Sequence, residues 1–97
     1  MSHQELILAI LRKAFPGLKQ RYPIRLLGLF GSFARGDVRE ASDLDILVEF
    51  TRPVSLSTFL ALEDELKALT GREVDLVTRG GLKPHIGRHV MRELVQV

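Results

Sequence analysis

GSFARGDVREASDLDILVEF, residues 31–50, places two aspartates inside what otherwise reads as a buried strand. The run IRLLGLF over 24–30 leads into it and is nearly all apolar, the pattern of a central strand covered on both faces. Gly31-Ser32 ends that run and opens a polar loop, with room for one helical turn after Ser32. Leu44 to Phe50 then alternates as a second strand. Leu44, Ile46, Val48 and Phe50 form one face, and Asp43, Asp45, Leu47 and Glu49 form the other.

Outward from this centre, the flanks read as helices. Ser2 and Glu5 have capping-box spacing, and Leu6, Ile7, Ile10, Leu11 and Ala14 follow at helical intervals. The first helix is expected to stop before Phe15-Pro16-Gly17, with a short turn over Leu18 to Tyr22 halted by Pro23. On the other side Pro53 breaks the chain and Ser55 or Ser57 can cap a helix carrying Phe59, Leu62, Leu66 and Leu69, closed by Gly71. Glu73 to Val77 alternates as a third strand, with Asp75 opposite in face to Val74 and Leu76. After Gly80-Gly81, Pro84 fits the first turn of a last helix bearing Ile86, Val90, Met91 and Leu94. The order reads α-β-α-β-α, a small layered α/β or α+β domain over residues 1–97.

Composition bounds the function. The chain is 45% hydrophobic and 27% charged, too apolar for disorder and too interrupted for a membrane span. MSHQELILAILRK has no basic region before its apolar centre, so it does not read as a signal peptide, and a cytoplasmic protein is expected. With no cysteine, disulfides and thiolate metal sites are excluded. A net charge of +2, with acids and bases interspersed, tolerates an anionic ligand but does not predict a nucleic-acid binder.

Residues i and i+2 of a strand project from one face, roughly 6.5–7 Å apart. Two carboxylates so placed can converge on a pair of divalent ions about 3.5–4 Å apart. Asp-Leu-Asp alone reads equally well as the solvated face of an amphipathic strand, although Asp is disfavoured there. Gly31-Ser32 adds what the acids lack. Its amides can form an anion nest, its hydroxyl is a further donor, and glycine permits close approach of a phosphate. It is neither a Walker loop nor a dinucleotide fingerprint, because no Lys-Ser/Thr follows and Gly28 and Gly31 are wrongly spaced. Electrostatics joins the two features. At an effective dielectric near 20, unit charges ~5 Å apart interact by roughly 3 kcal/mol, so carboxylates repel a triphosphate unless divalent cations intervene.

GSFARG, six residues, then DLDILVEF resembles the signature of minimal nucleotidyltransferases, the MNT-type branch of the DNA polymerase β-like superfamily. Gly31, Ser32, Ala34, Arg35, Gly36, Ser42, Asp43 and Asp45 carry the likeness, and the closing LKPHIGRHVMRELVQV is also similar. The resemblance implies a small mixed sheet flanked by helices and nucleotidyl transfer from an NTP, with ATP the expected donor and two Mg²⁺ ions. Asp43 and Asp45 would bind both metals, and Asp75 would complete the catalytic metal site and help deprotonate the attacking hydroxyl. Gly31 and Ser32 would hold the β and γ phosphates, with Arg35 steadying the loop or a phosphate. It further implies an antitoxin that adenylylates a partner HEPN ribonuclease toxin in a hetero-oligomer, without nucleic acid or membrane. Neutralisation by binding alone, or transfer to a small molecule or an RNA end, are the alternatives.

The remaining polar residues read as ordinary surface. His85 and His89 stand one turn apart without a third ligand, Arg79 and His85 match a HEPN-like Arg-x₅-His only across Gly-Gly and Pro, and Arg88 and Arg92 suit solubility.

Overall fold

The computed structural model describes residues 2–36 and 43–97. The chain runs α1 (His3–Arg21), β1 (Ile24–Phe30), α2 (Ser32–Arg35), β2 (Leu44–Phe50), α3 (Leu56–Thr70), β3 (Val74–Thr78), a 3₁₀ turn (Arg79–Gly81), α4 (Pro84–Glu93) and β4 (Val95–Gln96). The four strands form one mixed sheet in the order β3-β2-β1-β4. β1 is antiparallel to both neighbours, while β2 and β3 are parallel and joined through α3. The α/β architecture expected from the sequence holds, but the described order is α-β-α-β-α-β-α-β, longer than the expected α-β-α-β-α because the turn of α2, the third strand and β4 each count as elements.

Capping follows the sequence. The Ser2 hydroxyl accepts from the Glu5 amide at 3.1 Å, and Ser55 rather than Ser57 caps α3, accepting from the Thr58 amide. Gly71 closes α3 in the left-handed conformation at φ 67°. The expected break at Pro16 does not occur: α1 continues through it to Arg21. Proline removes one intrahelical amide, but Leu11 and Leu18, two turns apart, are both fully buried, and the packing of that stripe outweighs the lost bond. Tyr22 then leaves the helix in an extended conformation, its amide donating to the Leu18 carbonyl at 2.8 Å.

The main core gathers Ile7, Leu8, Leu11 and Leu18 of α1 and Leu62 and Leu66 of α3 onto Leu27, Leu29, Leu44, Ile46, Val48, Val74 and Leu76 of the sheet. Strand alternation therefore sends Leu44, Ile46 and Val48 into this core and turns Asp45, Leu47 and Glu49 to the opposite face. That second face is covered over its middle. Leu47 and Val90 are buried outside the main cluster. The side chain of Leu94 lies so close over Gly28 that a Cβ there would sit 2.7 Å from Leu94 Cγ. Gly28 is thus the gap in β1 into which the end of α4 settles. No described helix is long and apolar enough to cross a membrane.

Candidate functional site

The parallel register of β2 and β3 sets Asp45 beside Asp75, and the antiparallel register of β1 and β2 sets Phe30 on the other side of Asp45. Asp43 stands one residue before β2, exposed. Strand spacing places the first pair on neighbouring strands about 4.8 Å apart, with Asp43 two residues back along the same edge. The sequence-predicted acids therefore meet at one end of the sheet, on the face away from the main core. Ser42 lies outside the described residues.

Gly31 follows Phe30 directly, with φ 70° and ψ −145°, as the N-cap of the four-residue α2. An L side chain is strained at that φ, and here the space is also taken: a Cβ on residue 31 would land on Oδ2 of Asp45. The Gly-Ser turn and the carboxylate thus pack against each other, which ties the two halves of the motif together. α2 is anchored from below by Phe33, fully buried in the core and faced by the Arg72 guanidinium 5.0 Å from its ring centre. Gln4 of α1 donates to the carbonyls of Phe33 and Ala34 at 2.7 and 3.1 Å, satisfying groups that so short a helix leaves open. Gly36 ends the turn at φ 75°, and among the described residues no atom would meet a Cβ there.

The pKa of Asp45 is raised above that of an ordinary carboxyl. Burial pushes its pKa up first, then the negative fields of Asp75 and Asp43, with Arg35 pulling the other way and Glu93 adding a smaller upward push. Desolvation and like charge at one carboxylate is the arrangement expected where a cation is to be received. The donor chemistry suits a hard divalent ion, being all carboxylate oxygen. Among the described residues, however, no three His, Asp or Glu side chains close on one point tightly enough to hold an ion by themselves. An open ligand set completed by water and substrate phosphate is the usual state of a Mg²⁺ site.

One participant escaped the sequence. Glu93, the last residue of α4, accepts from the Gly31 amide through Oε1 at 3.1 Å. Its Oε2 lies 3.5 Å from Nη1 of Arg35 and 3.8 Å from Nε2 of His89. Arg35, at the end of α2, therefore pairs with Glu93 at the protein surface. Nothing in the local pattern marks Glu93, because a glutamate in the last turn of a helix ordinarily faces water. His89 is used as a neighbour of Glu93, while a groove lies at the other end of β2, lined by Phe50, Val54, Phe59, Arg79 and Leu82, away from the acids.

With this geometry in hand, the relatives are informative. The chain matches the family model for the nucleotidyltransferase domain over residues 11–97. It is 48% identical over 80 residues to protein adenylyltransferase MntA of Thermococcus cleftensis, covering 82% of this chain and 81% of that one. A solved structure assigned as a minimal nucleotidyltransferase superposes with a TM-score of 0.83 at 36% identity, covering 100% of this chain and 97% of the other. A chain from a toxin–antitoxin crystal structure with AMP-PNP superposes with a TM-score of 0.68 at 25% identity, covering 96% of this chain and 70% of that chain. The Gly-Ser turn set against Asp45 and Asp75 is thus carried by a protein that belongs to the nucleotidyltransferase domain family.

Proposed function

We propose that this protein is a cytoplasmic adenylyltransferase that moves AMP from ATP to a hydroxyl of a partner HEPN ribonuclease toxin, and so acts as its antitoxin. The observation that carries the reading is the packing of Gly31 against Asp45 with Asp75 alongside, which puts a phosphate-accepting turn and the acids on one edge. Two relatives support the finer terms: one is named a protein adenylyltransferase, and the other belongs to a toxin–antitoxin pair crystallised with an ATP analogue.

Asp43, Asp45 and Asp75 would hold two Mg²⁺ ions. When bound, these ions supply charge stabilisation for the phosphates and lower the pKa of the attacking hydroxyl. In the Gly31-Ser32 turn the Ser32 amide and hydroxyl offer donors to the β and γ phosphates, and Gly31, its own amide held by Glu93, lets them approach closely, which orients the α-phosphorus for in-line attack. The acceptor oxygen forms a bond to the α-phosphorus as the bond to the bridging oxygen breaks, pyrophosphate leaves, and Asp75 takes the acceptor's proton. Arg35, paired with Glu93, steadies the loop.

The test is the intact mass of the partner toxin after incubation with this protein, Mg²⁺ and each NTP in turn. The expected result is one or more AMP units gained with ATP and none with Asp43→Asn. A stable complex without any mass change would show instead an antitoxin that works by binding.

A further inference from the structure

We infer that Glu93 is a positioning residue for the phosphate-binding turn, fixing the Gly31 amide and the Arg35 guanidinium with the two oxygens of one carboxylate. This rests on the nucleotidyl-transfer reading of the site and adds to it a residue from the far end of the chain.

Gly28 pairs with Gln96 and Leu29 with Val95. Continuing the same antiparallel count places Gly31 opposite Glu93. By that point one side has turned into the Gly31 cap and the other has become the last residue of α4, so no ladder carbonyl is available. A half-buried backbone amide left without an acceptor is costly. The Glu93 side chain supplies the acceptor from the β4 side at 3.1 Å, while Asp45 packs against Gly31 from the β2 side. The turn is therefore held from both flanks, and a carboxylate stands on each.

Charge explains why a glutamate serves here. A charged acceptor makes a stronger bond to an amide than a neutral one. Its second oxygen draws Arg35 to the same place, with His89 one helical turn away on the same oxygen. The negative charge brought toward the acids is thereby balanced locally by Arg35. Leu94, the next residue, seats in the gap at Gly28, so the reach of Glu93 is set by core packing and not by a free helix end.

The test uses ¹⁵N-labelled full-length protein and the variants Glu93→Ala, Glu93→Gln and Glu93→Asp. Two readouts are taken: the Gly31 amide resonance with its temperature coefficient, and the affinity for a non-hydrolysable ATP analogue with Mg²⁺. Gln keeps the acceptor and its reach, and should hold the amide bonded and affinity within about threefold of wild type. Ala should free the amide and weaken nucleotide binding about tenfold, the worth of one ordinary hydrogen bond. Asp keeps the charge but loses a methylene of reach, and should follow Ala; it also carries the test should Ala fail to fold. An unmoved Gly31 amide in Ala or Asp overturns the inference. So does tighter nucleotide binding by Ala, which would mean that Glu93 competes with phosphate. Wild-type protein that binds no nucleotide would overturn the reading of the site itself, whatever the amide does.

Discussion

Asp45 of β2 stands level with Asp75 of β3, side by side across a parallel ladder. Like charges on adjacent strands destabilise a sheet, and here the burial of Asp45 adds to the effect. The site is thus built against the stability of the domain that carries it.

Asp45→Asn should abolish transfer, by about 10³-fold or more if two-metal stabilisation contributes several kcal/mol, yet raise the melting temperature of the metal-free protein. The sign follows from the raised pKa of Asp45 in the folded state. A carboxyl whose folded pKa exceeds its unfolded one favours folding below the unfolded value, and that advantage is lost as pH rises through the folded pKa. The stability gap between variant and wild type should therefore be widest near neutral pH and close on acidification. Thermal melts of both proteins in chelator at several pH values check it. A wild type that melts higher than the variant at neutral pH would contradict it.

Gly31→Ala and Gly36→Ala separate backbone strain from steric conflict, since both positions have φ near 70–75° but, among the described residues, only Gly31 faces an occupied space. Gly36→Ala should cost about 1 kcal/mol, from the left-handed backbone alone. Gly31→Ala should cost at least about 2 kcal/mol, because overpacking adds to the same strain, and it should remove activity by displacing the Asp45 carboxylate. Urea denaturation and a nucleotide-transfer assay measure both.

Gly28→Ala should destabilise the fold by about 1–3 kcal/mol, as an added methyl meets Leu94. Shortening the neighbour in Gly28→Ala/Leu94→Ala should recover part of the loss. A double-mutant cycle is expected to give a coupling of at least about 0.5 kcal/mol. Additive effects would show that the two do not share the space.

The strands and helices around the Gly-Ser turn were legible because burial imposes a period. Leu44, Ile46 and Val48 alternate toward the core, and Leu62 and Leu66 keep the helical step. That Asp43 and Asp45 project to the same side was legible from the two-residue alternation, whereas Asp75 joined them only through the family resemblance, because no local pattern shows that β2 and β3 are neighbours. Pro16 misled, because a local rule about amides cannot see that Leu11 and Leu18 hold the helix on both sides of it. β4 was missed because two residues are too few to show any period, and its pairing with β1 is set by the rest of the sheet. Glu93 was hidden for a different cause: its partner is a backbone amide on the far side of the sequence, and main-chain partners leave no mark on composition.

β4 has a further consequence, seen in the local stability of the sheet. It contributes two register pairs, one flanking bond from the Val97 amide to the Leu27 carbonyl, and a bond from Arg12 to the Gln96 carbonyl at 2.9 Å. The β1–β2 ladder, by contrast, pairs six residues along its length. Opening free energies within one fold range from near zero up to the global value, and a short edge element belongs at the low end. An opening confined to β4 leaves the acids where β2 and β3 hold them, and leaves Glu93 on the last turn of α4, held by the packing of Leu94 over Gly28. The order of the Gly31-Ser32 turn is therefore tied to the seating of α4 on the sheet rather than to the shortest strand beside it.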